Sequence, residues 1–160
     1  MSPAKAVRLF FGLLVALAGR AAPLGPPANP MAADIVARLR AAAHEHRDPA
    51  DRKAVLHGAA WELPRGLYPA VLDQIVPIAP GGVDLDIARA IFMRWARETP
   101  DYAAKWALAS PPEPFRDEAM GVAVRRWRQV DRKNADAWEQ GLPARDRRRI
   151  SEGGSGVSPL

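Results

Sequence analysis

Two segments decide how this chain folds: Trp95-Ala96-Arg97-Glu98-Thr99-Pro100-Asp101-Tyr102-Ala103-Ala104-Lys105-Trp106 and Trp127-Arg128-Gln129-Val130-Asp131-Arg132-Lys133-Asn134-Ala135-Asp136-Ala137-Trp138. They lie 32 positions apart, so one shift superposes Trp95 on Trp127 and Trp106 on Trp138, in a chain with only five tryptophans. The same shift pairs Ile87 with Ala119, Ala88 with Met120, Ala90 with Val122, Phe92 with Val124, Ala103 with Ala135 and Pro111 with Pro143. A fixed period of this length marks a repeated supersecondary unit. Each unit reads as a long helix ending near the first Trp, a turn, a short helix carrying Ala and the second Trp, and a Pro stop. Thr99-Pro100-Asp101 has the residues that cap and start a helix, and Asp131 to Asn134 takes that place in the second unit.

Upstream the signals are also helical. Met31 to His46 puts Ile35, Leu39 and Ala42 on one stripe at helical spacing. Asp48-Pro49 starts a second helix, Asp as N-cap and Pro in the first turn, which passes Val55, Leu56 and Trp61 and stops at Leu63-Pro64. Pro69 to Val76 forms a third, and Asp84 opens a fourth reaching Glu98. Trp61-Glu62-Leu63-Pro64 resembles the ends of the later units and marks a degenerate earlier one, with an insertion around Ile75 to Val83. The expected fold is all-α, tandem antiparallel helix hairpins over residues 31–150, the best units being 84–111 and 116–143.

The Trp-Ala-x-x-Asp-Pro-x-x-Ala-x-x-Trp pattern with a Leu-Pro stop resembles the degenerate tetratricopeptide-like helical repeats of exported bacterial proteins. The first unit has Thr99 for the Asp, and the second keeps Asp131 but loses the Pro. The resemblance covers about residues 84–150. It implies stacked pairs with a concave side that holds a peptide or protein partner. Such repeats share no catalytic residues.

The two ends of the chain differ from its middle. Lys5 and Arg8 precede the apolar run Leu9 to Ala18, which is shorter than the roughly 20 residues a membrane span requires. A basic start, an apolar run and the small-x-small Ala16-Leu17-Ala18 have the layout of a secretory signal over 1–18, cleaved before Gly19, the alternative being an uncleaved anchor. Residues 19–30 read as a Pro/Ala/Gly-rich linker and 151–160 as a flexible tail. The expected location is the periplasm or cell envelope. The alternative is translation from Met31, which makes the product cytoplasmic.

The formal charge is +5, but residues 31–120 carry 11 basic and 13 acidic side chains, while 121–160 carry 9 and 5. The basic excess gathers in Arg125, Arg126, Arg128, Arg132 and Lys133, then Arg145, Arg147, Arg148 and Arg149. This is a candidate anion or partner patch, for an envelope polymer or anionic surface if exported and for RNA or DNA if cytosolic. Its ordinary alternative is a solvated helix face.

No catalytic, metal or cofactor site is expected. The absence of cysteine excludes disulfides, thiolate metal sites and cysteine nucleophiles. His44 and His46 stand two apart on a helix and diverge. Asp84 and Asp86 fall at a helix start, where carboxylates favour free N–H groups. Trp95, Trp106, Trp127 and Trp138 are expected to lock helix against helix. The functional expectation is a non-enzymatic interaction or scaffold module with a protein partner. The alternative is a cytosolic nucleic-acid binder.

Overall fold

The computed structural model describes residues 29–76, 82–109 and 115–153. The expected signal segment at 1–18 lies outside them. All regular structure in the described residues is helical: α1 Pro30–Glu45, α2 Pro49–Glu62, α3 Tyr68–Ile75, α4 Val83–Glu98, α5 Pro100–Ala109, α6 Phe115–Gln140 and α7 Ala144–Gly153, with a 3-10 turn at Arg65–Leu67. No described helix is long and apolar enough to cross a membrane.

The starts of α1 and α2 follow one local rule. Asp48 accepts from the N–H groups of Ala50 and Asp51 at 2.8 and 3.1 Å, with Pro49 in the first turn. Asn29-Pro30 repeats that chemistry, its side-chain oxygen accepting from Met31 and Ala32 at 3.1 and 3.3 Å. The carbonyl of Asn29 also accepts from Gln74 Nε2 of α3 at 3.1 Å. The folded body therefore includes residues before Met31, and a chain starting at Met31 lacks both the cap and this tie. At α4 the N-cap is Gly82, whose φ of 72° is the left-handed conformation that glycine adopts without a Cβ clash.

The buried face of α1 departs from the expected stripe. In α1 the core positions are Ala32, Val36, Leu39 and Ala43, while Ile35 and Ala42 are half-buried. The apolar arc is wide enough for either stripe, and α1 meets α2, α3 and α4 together, which sets its rotation. In α2 Leu56 and Ala60 are buried, but Trp61 is 53% exposed.

The centre of the core is aromatic. From α4, Trp95 stacks on Tyr68 of α3 with ring centroids 6.1 Å apart and meets Trp106 of α5 at 5.6 Å. Phe92, one turn earlier, packs against Trp106 at 5.8 Å and edge-on against Phe115 of α6 at 5.9 Å. Trp106 also donates its indole N–H to Asp73 of α3 at 2.9 Å. Around this centre α4 contacts α1, α2, α3, α5 and α6, and α7 closes onto α6.

The 32-residue spacing has a counterpart in local geometry. The break between α4 and α5 falls at Thr99, with φ −139° and ψ 73°. The break inside α6 falls at Asp131, with φ −149° and ψ 80°. Asp131 accepts from the Asn134 N–H at 3.2 Å, so its side chain caps the helix that follows. Behind the breaks, the Trp95–Trp106 and Trp127–Trp138 ring pairs lie 5.6 and 5.5 Å apart. Trp95 and Trp127 are buried, and Trp106 and Trp138 half-buried.

Past Pro143 the chain forms α7, which extends into the segment expected to be loose as far as Gly153. The reason is that Ile150 docks into the core, 4% exposed, and Ser151 Oγ donates to the Arg148 carbonyl at 2.7 Å.

A Trp95→Ala variant removes the ring shared by Tyr68, Phe92 and Trp106. It is expected to lose about 3–5 kcal/mol of unfolding free energy, measured by urea denaturation followed by circular dichroism.

Candidate functional site

The C-terminal basic cluster is split by the break at Asp131. Arg125, Arg126 and Arg128 precede it, Arg132 and Lys133 follow it, and Arg145, Arg147, Arg148 and Arg149 lie on α7. The break folds the second half of α6 back across the first. On a straight helix residues 128 and 139 stand about 16 Å apart. Here Arg128 donates from Nε to Asp136 at 2.9 Å and from Nη2 to Glu139. Arg132 also reaches Asp136, at 3.6 Å. Arg149 pairs with Asp117 at the start of α6 at 3.5 Å, and Arg126 donates to Gln129 at 2.8 Å.

Much of the cluster is thus neutralised within the fold. Arg128, Asp136, Glu139, Gln140 and Arg147 line an open cleft of about 220 Å³, in which two cations face two carboxylates. A polyanion entering it must compete with Asp136 and Glu139 for Arg128. The exposed cations of this end are Arg128, Arg132, Lys133, Arg145, Arg147 and Arg148.

A second cluster, which the sequence reading did not assemble, lies where α2, α3 and the last turns of α4 meet. Arg94 and Glu98 form an i,i+4 ion pair with side chains only 10% and 11% exposed. Glu98 Oε2 also accepts from the Tyr68 hydroxyl at 3.1 Å and pairs with Arg65 Nε at 3.2 Å. Burial pushes the Tyr68 phenol above its ordinary value, Arg94 opposes that shift, and the Glu98 carboxylate adds to it. The Arg94 guanidinium lies 3.4 Å from the centroid of the Trp61 indole, and that of Arg97 lies at 5.6 Å. Nε and Nη1 of Arg94 are buried without an acceptor.

The sequence carried half of this signal, because Arg94 and Glu98 flank Trp95 at a spacing that joins them on one helix face. That Trp61, Arg65 and Tyr68 converge on them depends on how α2 and α3 pack.

The acids at the start of α4 tie helices together. Asp84 accepts both Nε and Nη2 of Arg40 at 2.7 Å, and Asp86 accepts Arg52 Nε at 3.1 Å. The capping position is held by Gly82, so both carboxylates turn to the arginines of α1 and α2. Among the described residues, no group of three His, Cys, Asp or Glu side chains is placed to hold a metal ion. Comparison with protein-family models, with curated proteins and with solved structures finds no match to this chain.

Two outcomes follow from these geometries. Replacing both Asp136→Asn and Glu139→Gln releases Arg128, so affinity for heparin should rise and the slope of log K against log salt should steepen by about one, measured by titration at several salt concentrations. The raised phenol of Tyr68 contributes stability that is complete below the unfolded value of about 10 and is lost as pH rises through the folded value. Denaturant titrations across that range should show an alkaline decline in the wild type that is smaller in Tyr68→Phe.

Proposed function

We propose that this chain is a non-enzymatic interaction or scaffold module of the bacterial cell envelope, built from tandem tetratricopeptide-like helix pairs that bind a protein partner through a concave face. The observation that carries this reading is the double correspondence at 32 residues. Thr99 and Asp131 break the helix with nearly the same dihedral angles, and the Trp pairs behind them pack at nearly the same distance. Units that pair their helices through the same contacts each present the same face to one side, and stacking extends that face into a surface.

Two features weigh against the cytosolic alternative, a nucleic-acid binder beginning at Met31. Asn29 caps α1 and holds α3, so the folded body includes residues before Met31. The basic cluster on which nucleic-acid binding would depend has Arg128, Arg132 and Arg149 in ion pairs within the fold.

The reading is tested by expressing the full chain in its bacterial host with a photo-crosslinking amino acid in place of Tyr102, which is exposed on α5. The expected result is one discrete protein adduct in the envelope fraction, from a species whose intact mass begins near Gly19. A cytosolic species beginning at Met31, or adducts to nucleic acid alone, overturns it.

A further inference from the structure

The Trp61 cluster has three properties that a purely structural ion pair does not need. The indole stays 53% exposed. Its inner face rests on Arg94, a side chain nine-tenths buried that satisfies Glu98 through Nη2 and keeps Nε and Nη1 without an acceptor. Arg97 approaches the same ring, and Arg65 stands exposed at the rim. Glu98 cannot answer the remaining donors, because it already serves Arg94, Arg65 and Tyr68. A buried guanidinium with unpaired N–H groups carries a desolvation cost that an arriving carboxylate relieves.

Taking the interaction-module reading as its starting point, we infer that this cluster is the docking site for an acidic peptide segment of the partner. The indole of Trp61 takes an apolar side chain, and a carboxylate is received by Arg94 and Arg97. The indole that rests on Arg94 is itself more than half exposed, and rotation of an exposed side chain is fast. Trp and Arg side by side are also the residues that most often dominate interface energies.

Charge favours an acidic peptide over a nucleic acid. The segment that builds this end, residues 31–120, carries 13 acids against 11 bases. Glu62, next to Trp61 in the chain, is exposed at the end of α2. A polyanion is repelled by a segment with excess acid more strongly than a single carboxylate is.

The test follows the indole N–H resonance of Trp61, assigned with Trp61→Phe, in ¹H–¹⁵N spectra of the full chain. A capped peptide with glutamates flanking leucines is titrated to millimolar concentration, and the same peptide with glutamines is the control. The expected result is a saturable shift with the glutamate peptide alone. Binding should weaken about tenfold or more in Arg97→Gln, an exposed site that leaves the fold alone, and in Arg94→Lys, which keeps the charge but loses Nε and Nη1. A missing shift, an equal response to the glutamine peptide, or tighter binding of a single-stranded oligonucleotide at the same resonance overturns the inference.

The two readings fail separately. If Trp61→Ala with Arg97→Gln captures the same cross-linked partner as the wild type, the module stands and this site falls. If the peptide binds as expected but no protein adduct forms in the cell, the site stands and the module reading falls.

Discussion

The packing of this protein depends on one turn of α4. Phe92 and Trp95, three residues apart, occupy the same side of that helix and together touch aromatic rings from α3, α5 and α6. Rings of this size bury enough apolar surface to dominate a small helical core, and their edge-on and tilted contacts fix the angle at which the neighbouring helices approach. With α4 also against α1 and α2, most of the other helices are placed by what they do at its surface.

Charge reinforces the same arrangement from outside the core. Arg40 of α1 and Arg52 of α2 reach Asp84 and Asp86 in the first turn of α4, and Arg89 in its middle makes a forked contact with Glu118 of α6. The last turn carries the Arg94–Glu98 pair, joined by Tyr68 and Arg65. Partly exposed pairs of this kind add modest stability. Their main consequence is register, since a forked arginine–carboxylate contact tolerates little sliding of one helix along another. The acids at the N-terminal end of α4 also sit where the helix dipole favours them.

The functional surface depends on how those charges are disposed. At the C-terminal end, the bend at Asp131 turns Asp136 and Glu139 onto Arg128, so a run that reads as strongly basic becomes a mixed network. Where α2, α3 and the last turns of α4 meet, two arginines pair with one carboxylate that is fully engaged, a third approaches the Trp61 indole, and that indole remains half in solvent. Local excess of donors over acceptors, rather than the charge of a segment, separates a surface that is internally satisfied from one that has donors left over.

The sequence by itself determined the helical class, nearly every helix start, the 32-residue spacing and the place of both breaks. These depend on neighbours within a turn or two of the chain, where capping residues, prolines and apolar periodicity act directly. Asn29-Pro30 carried the same signal as Asp48-Pro49 and was legible in the same way. Tertiary structure alone decided which stripe of α1 faces inward, that α7 continues through Ser151, that Asp84 and Asp86 bind arginines 34 and more positions away, and that Trp61 meets Arg94. Each of these joins residues from different helices. A one-dimensional pattern sets what a helix offers on each face, and only packing around Phe92 and Trp95 sets which face meets which partner.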